Sequence, residues 1–380
     1  MRLWVKNMNK KREANIELLR VLAMFMVITL HALGHGGILD SYKNSGGGDE
    51  YYFFQFLFIL NRVSVNCFVL ITGYLMVKSK FNFLRIINLI IQIEFYSIFC
   101  SLAAKFIFHK SIGMKELLFT IFPLTSNRYW FMTCYAILLI LIPLFNKFIL
   151  SIGKKQLVKV NLLLIVLFSV IPTIFYWSRR VLGNGYTFTW FVVLYFAGAY
   201  IGLYGCSLKK DWSFWLYFIF SGMGYILHMI IMSVSGMFGY SGGEIIFYTY
   251  NNMICFLAAI FLFLTFINMN ITLGIWSRIA KLGRYSLGAY LCSDNEIIRK
   301  FIWEMTGLGS ITRQGLMPML LYLVCVVFIL YLSGCFVEWC RVKVMRNARI
   351  IKLLDNLKKG FEIFQIKVNE KIEENAQKQS

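Results

Sequence analysis

Apolar residues occur along the chain in runs of about 20, which short polar segments separate. A helix rises about 1.5 Å per residue, so a run of this length crosses the roughly 30 Å hydrocarbon core of a bilayer. We predict ten spans, at residues 16–34, 52–77, 83–108, 130–150, 160–177, 187–206, 212–233, 245–268, 284–303 and 315–338. The pattern therefore predicts an all-α, polytopic membrane protein whose even number of spans returns both termini to one side.

The composition excludes a water-soluble protein. Of the 380 residues, 59% are hydrophobic, and the mean hydropathy is +0.66. A formal charge of +21 would suit a nucleic-acid-binding protein, but the basic residues lie between the apolar runs and not in one basic domain. We therefore expect membrane lipid, and no nucleic acid, as a partner.

The basic residues also predict the orientation. With the N-terminus inside, 28 of the 39 Lys and Arg residues fall in inner segments, and the positive-inside bias then places both termini in the cytoplasm. We expect a membrane domain over residues 1–340 and a basic cytoplasmic tail over 341–380. The tail is equally consistent with an amphipathic helix on the inner leaflet and with a solvated segment. We expect the basic N-terminal region to precede an uncleaved first span and not to belong to a signal peptide.

The first span carries three ionisable side chains on one helix face. Arg20 and His31 are eleven residues apart, which returns to within roughly 20° of the same direction, and Glu17 precedes Arg20 by one turn. His31, near the outer end, could take a proton from an alcohol. Arg20, near the inner end, could bind a phosphate or a carbonyl oxygen, with Glu17 as its ion-pair partner. A packing histidine and an interfacial Glu–Arg anchor are the alternatives.

The second span places polar groups near mid-membrane. Arg62 and Asn66 are four residues apart, which favours the lining of a polar cavity over a purely structural pair. Tyr74 follows Gly73, a residue type that permits close contact between helices. The loop after this span carries three basic residues that could hold an anionic donor or only set the topology: Lys78, Lys80 and Arg85.

Two later segments add candidate binding residues. Trp130 lies at a predicted outer interface, where an aromatic belt would also explain it. Asp294 and Asn295 lie in the ninth span, where Asp294 could pair with His31 or Arg62, or locally with Arg299. The nine cysteines include no C-x-x-C pair, so we expect them to pack within helices, and we expect no metal site.

Several segments resemble the acyltransferase-3 family of membrane acyltransferases. The ELLR sequence at Glu17–Arg20, followed after ten residues by His31, resembles the family's Arg-x10-His signature. VNCFVLITGYLM (65–76) is similar to its F-x-x-S-G-Y/F-L segment, with Thr72 in place of Ser. RYWFMTCYAILLILIPLF (128–145) is similar to its W-F-x-x-x-Y…P segment, and WFVVLYFAGAYIG (190–202) and YSLGAYL (285–291) match weaker landmarks.

The resemblance implies ten core helices and an acyl transfer, most simply of acetyl from cytoplasmic acetyl-CoA. The acceptor would be a hydroxyl of a cell-envelope polysaccharide or lipid-linked oligosaccharide at the outer face of a bacterial cell membrane. By position, His31 would be the essential base and Arg20 the cation on the donor side.

The chain departs from the family pattern at two positions. Members often have an R-x-x-R pair after the second span, where this chain has Arg85 and Asn88, and a histidine in the ninth span, where it has Ser293. A transporter or flippase for the same glycan precursor is the alternative function, although the sequence shows no inverted repeat of the kind that transporters carry. A sensor module without catalytic activity is a third possibility.

Overall fold

The structure, a computed structural model, describes residues 13–79, 82–237, 247, 249–271, 274–311, 314–345 and 360. These residues form helices joined by turns and short loops, with no β-strand among them. Within this part of the chain, seven helical segments are long and apolar enough to cross a membrane, and two shorter apolar helices accompany them. The prediction of an all-α, polytopic membrane protein is confirmed.

We number the principal helices in chain order. They are α1 (Ala14–Gly34), α2 (Asp49–Asn61), α3 (Ser64–Met76), α4 (Phe83–Phe106), α5 (Trp130–Ser151), α6 (Lys154–Ile174), α7 (Phe188–Tyr204), α8 (Lys210–Met237), α9 (Met253–Ile267), α10 (Ser286–Ser293), α11 (Arg299–Thr306) and α12 (Leu316–Met345). Most predicted spans coincide with one of these helices, because a long apolar run is visible without tertiary information.

The second predicted span, 52–77, is broken at Arg62. Helix α2 ends at Asn61 and α3 begins at Ser64, so that Arg62 and Val63 form a turn between them. The backbone amide of Arg62 bonds to the carbonyl of Ile59, three residues earlier, which tightens the end of α2. The Arg62 side chain therefore leaves the backbone at the junction of two helices.

The ninth predicted span, 284–303, is not one continuous helix. Helix α10 ends at Ser293 and α11 begins at Arg299, with a turn between them. The Asn295 side chain accepts a hydrogen bond from the backbone amide of Ile297 over 3.0 Å, which favours a turn over a continued helix. The break is not visible in the hydropathy of the segment, because a few polar residues inside an apolar run lower the mean hydropathy only slightly.

Helices α3 and α7 touch backbone to backbone. A Cβ at Gly73 would lie 2.3 Å from the carbonyl oxygen of Tyr195, and one at Gly198 would lie 2.3 Å from that of Leu70. Gly198 and Gly202 are four residues apart, the small-xxx-small spacing that lets membrane helices approach closely. The close approach that Gly73 predicted is therefore made against α7.

The chain divides into two units by its internal contacts. The larger, residues 12–335, contains every residue discussed below except the tail. The smaller comprises residues 1–11 and 336–380, and in its described part Glu338 forms a 2.7 Å ion pair with Arg341. Most of the predicted tail, 341–380, lies outside the described residues, so its role stays a prediction.

Replacing Gly73 with alanine should weaken the contact between α3 and α7. The added methyl group meets backbone atoms that cannot move aside, so we expect a loss of about 1–3 kcal/mol. The midpoint of thermal unfolding in detergent should fall. In the Gly222→Ala control on α8, no atom lies within 4 Å of the added carbon; equal midpoints for the two variants would contradict the close packing.

Candidate active site

A cavity of about 260 Å³ runs along one face of α1 inside the larger unit. Arg20 and His31 both line it, with Met24 and Val27 between them. The remaining lining residues come from four other regions of the chain: Val65, Phe68, Thr72, Trp130, Phe131, Met132, Tyr135, Tyr250, Gly283, Arg284, Ser286, Leu287 and Tyr290. Since α1 rises about 1.5 Å per residue, the cavity joins two polar groups that are about 16 Å apart along the helix.

Two arginines lie at one end of the cavity. Arg20 donates a short hydrogen bond to the buried carboxylate of Glu17, which fixes the direction of its side chain. Gly283 packs against Glu17 so closely that a Cβ there would lie 2.7 Å from a carboxylate oxygen. The next residue, Arg284, is exposed and lines the same end of the cavity. Glu17 neutralises one guanidinium, so this end keeps a net positive charge among the lining residues.

Aromatic side chains form the middle of the cavity. Phe131 stacks on Tyr135 with ring centroids 5.8 Å apart and meets Phe68 edge-on. The hydroxyl of Tyr135 lies 3.3 Å from that of Thr72, the residue that replaces the family's serine. Rings that are fixed by one another give a narrow apolar passage between the two polar ends.

Asp294 lies beside His31 at the other end. Its Oδ1 is 3.9 Å from Nε2 of His31, 3.9 Å from Nε2 of His35 and 3.1 Å from Nη1 of Arg299. The distance of 3.9 Å is too long for a hydrogen bond, so the carboxylate acts on the imidazoles through its charge. Nδ1 of His31 is buried and has no hydrogen-bond partner among the described residues. The predicted proximity of Asp294 to His31 and the local pair with Arg299 are both present.

Arg62 lies behind the cavity wall and does not line it. Its guanidinium donates to the hydroxyl of Tyr250 over 3.2 Å and, by a short contact, to the hydroxyl of Tyr186. The guanidinium carbon lies 3.8 Å from the centroid of the Tyr250 ring. Within the described part of the chain Arg62 forms no ion pair, so two phenols replace the acidic partner expected for a buried cation.

Asn66 also stands away from the cavity. Its amide donates to the carbonyl oxygen of Tyr250 over 2.9 Å, and its own side-chain oxygen accepts from Nε1 of Trp190 over 2.9 Å. The residue is fully buried. The sequence expectation that Asn66 lines the cavity is corrected: it holds the Tyr250 backbone.

The other predicted binding residues are distributed as follows. Trp130 lines the cavity, with its ring 5.7 Å from that of Tyr250. The rest lie elsewhere: Tyr74 packs its ring on Phe263, Lys78 is exposed, Arg85 donates to the Ser79 hydroxyl, Asn295 donates to the Tyr129 hydroxyl, and Lys80 lies outside the described residues. The two described basic residues of this segment, Lys78 and Arg85, are thus not part of the cavity lining.

Among the lining residues that were not singled out in the sequence are Arg284, Tyr290 and Tyr250. Tyr290 belongs to YSLGAYL (285–291), where a resemblance to a late family landmark was the available signal, and Arg284 directly precedes that segment. Tyr250 gave no signal, because it lies in a turn before α9.

The structure offers no metal centre within its described residues. No group of three His, Cys, Asp or Glu side chains there is arranged to hold a metal ion. All nine cysteines are free, and four of them are buried.

Fold and cavity together define an integral membrane protein with a passage between a cationic end and an imidazole. Residues 13–338 match the family model described as an acyltransferase domain. The chain therefore belongs to the acyltransferase-3 family and is a membrane acyltransferase. No curated protein and no solved structure matches the chain, so the assignment rests on this family model.

The continuity of the cavity can be tested by thiol labelling. In a variant whose nine cysteines are replaced, Val27→Cys should react with a small water-soluble thiol reagent, because Val27 lines the cavity. Ile28→Cys should not react, since Ile28 is fully buried away from the cavity. Equal labelling rates measured by mass spectrometry would contradict the passage.

Proposed function

We propose that this protein is an O-acyltransferase of a bacterial cell membrane. It transfers an acyl group, most simply acetyl, from acyl-CoA to a hydroxyl of a cell-surface polysaccharide or its lipid-linked precursor. The observation that carries the proposal is the single cavity lined by Arg20 at one end and His31 at the other. The distribution of Lys and Arg supports the assignment of the Arg20 end to the cytoplasm.

The donor binds at the Arg20 end in this proposal. Acetyl-CoA carries phosphates, for which guanidinium groups are suited because they donate several hydrogen bonds in a fixed plane. Arg284 is the exposed cation of this end, whereas Arg20 is held against Glu17 farther in. Arg284 therefore takes the phosphate role, for which the sequence had offered Lys78, Lys80 and Arg85 as candidates beside a purely topological one. Arg20 faces the arm that carries the thioester.

The size of the cavity limits what it admits. A volume of about 260 Å³ lies just below the range of ligand pockets, which typically measure about 300–1,000 Å³. It suits a small acyl group and a slender thioester arm, and the acceptor sugar stays at the His31 end.

His31 acts as the base at the acceptor end. Its imidazole takes the proton from the attacking hydroxyl, and the negative charge of Asp294 at 3.9 Å stabilises the imidazolium that forms. Asp294 is itself anchored by Arg299 at 3.1 Å. His31 then returns the proton to the departing thiolate, so that the products are an ester and a thiol.

His31→Ala should abolish acyl transfer. We expect a loss of at least about 10²–10⁴-fold, the usual contribution of a positioned base. The measurement uses membranes with labelled acetyl-CoA and counts label in the glycan. The control is His109→Asn, a histidine outside the cavity. Normal O-acetylation by His31→Ala would remove the proposed base. Glycan retained inside a deletion strain, and not merely unacetylated at its surface, would favour a transporter.

Arg284→Ala should weaken donor binding, whereas Lys78→Ala should bind the donor about as well as the unsubstituted protein. A charge-assisted hydrogen bond contributes about 1.5–3 kcal/mol, so the KM for acetyl-CoA should rise by about one to two orders of magnitude. Both side chains are exposed and basic, but only Arg284 lines the cavity. A larger change in KM for Lys78→Ala would return the phosphate site to the loop after the second span.

A further inference from the structure

Tyr250 is a buried hydroxyl-bearing residue of the cavity that the mechanism above leaves without a task. It lines the cavity together with His31 and Trp130, and it is 6% exposed. Its ring faces that of Trp130 at an interplanar angle of 27°. Tyr250 is thus a phenol in the wall of the cavity, with the buried guanidinium of Arg62 against its hydroxyl.

The oxygen of the Tyr250 hydroxyl accepts a hydrogen bond, whereas its hydrogen is not donated to any described residue. Its oxygen accepts from Nη1 of Arg62 over 3.2 Å. Arginine has no acceptor atom, so it cannot receive the phenolic hydrogen in return. Among the described residues no other group accepts that hydrogen, because the bond from Arg62 is the one hydrogen bond of this hydroxyl there. The hydrogen is therefore free for the acceptor of a ligand.

The backbone around Tyr250 is held in place although it forms a turn. The side chain of Asn66 bonds to the Tyr250 carbonyl over 2.9 Å. The following residue, Asn251, donates to the carbonyl oxygens of Phe168 and Gly183 over 2.9 and 3.2 Å. A Cβ at Gly185 would lie 2.7 Å from that of Tyr250, so the two segments are in direct contact. The hydroxyl is thus fixed before any ligand arrives.

The charge behind the hydroxyl strengthens it as a donor. Arg62 is buried and is compensated by phenols and an aromatic face in place of a carboxylate. A cation that bonds to the oxygen of a phenol draws electron density away from its O–H bond, and this effect is larger in a medium of low dielectric constant.

We propose that Tyr250 is the oxyanion donor of the acyl transfer. Its hydroxyl, backed by Arg62, donates a hydrogen bond to the thioester carbonyl oxygen as that oxygen becomes negative. Arg62 and Asn66 act through Tyr250 and are positioning residues. This assignment rests on the proposed function and adds to it the group that stabilises the developing charge.

The reaction balances with this assignment. The acceptor oxygen forms a bond to the carbonyl carbon while His31 takes its proton, and the carbonyl electron pair moves to the oxygen that faces Tyr250. The carbonyl then re-forms, the carbon–sulfur bond breaks, and the thiolate takes the proton from His31. Tyr250 keeps its own proton throughout, so nothing beyond thioester and alcohol is consumed.

Tyr186 offers a matched control. It accepts a hydrogen bond from the same guanidinium, and its ring contacts those of Trp130 and Tyr250 at 4.6 and 4.9 Å. It is absent from the cavity lining. Tyr186→Phe and Tyr250→Phe therefore remove the same group from the same cation, and they differ in whether the tyrosine lines the cavity.

The test compares the two variants in membranes that contain the native glycan, with labelled acetyl-CoA as the probe. Tyr250→Phe should lower the maximal rate per molecule of protein by about 10²–10³-fold, the usual loss for one oxyanion donor. The KM for acetyl-CoA and the thermal unfolding midpoint should stay unchanged, which a loss of packing would not allow. Tyr186→Phe should keep most of the rate.

The outcomes separate the inference from the function on which it rests. Suppose that the unsubstituted protein transfers the acyl group. If Tyr250→Phe is then equally active, or if both variants lose the same activity, the role of Tyr250 is overturned and the proposed function stands. No transfer by the unsubstituted protein in the presence of acetyl-CoA and glycan would overturn the proposed function as well. A loss confined to Tyr250→Phe and to the maximal rate supports the oxyanion donor.

Discussion

The backbone contact between α3 and α7 is the packing constraint on which the cavity depends. Gly73 and Gly198 remove the side chains that would hold the two helices apart. With that face of α3 fixed, a different face turns toward α1. Val65, Phe68 and Thr72 share this second face, because Phe68 and Thr72 follow Val65 by three and seven residues, and they become a wall of the cavity. A displaced α3 would move this wall and the turn at Arg62 together.

A second constraint follows from the cost of charge in an apolar surrounding. Each buried ionisable group of the site is compensated in a different way. Arg20 has the carboxylate of Glu17, Asp294 has Arg299, and Arg62 has two phenols. The imidazole of His31 lies near the charge of Asp294 but forms no hydrogen bond with it. The nitrogens of His31 therefore remain available to a substrate.

The proposals assign the two ends and the middle of the cavity to different parts of one reaction. In these proposals the cations at the Arg20 end bind the donor, and the imidazole of His31 takes the proton of the acceptor hydroxyl. The Tyr250 hydroxyl donates to the thioester carbonyl oxygen. This assignment explains why Arg62 is buried. A cation behind the phenol strengthens the hydrogen bond from Tyr250 to the thioester oxygen more in the transition state than in the ground state.

The sequence by itself determined the helical membrane fold, the family and the shared face of Arg20 and His31, because apolar run length and helical spacing are local properties. It misjudged the ninth span and the placement of Asn66, and it gave Tyr250 no weight. These features depend on which distant segments meet: Asn66 finds the Tyr250 carbonyl 184 residues away, and Arg62 finds its hydroxyl at a separation of 188. Only the tertiary structure decides such pairings, since a buried polar group takes whatever partner the packing of the helices brings to it.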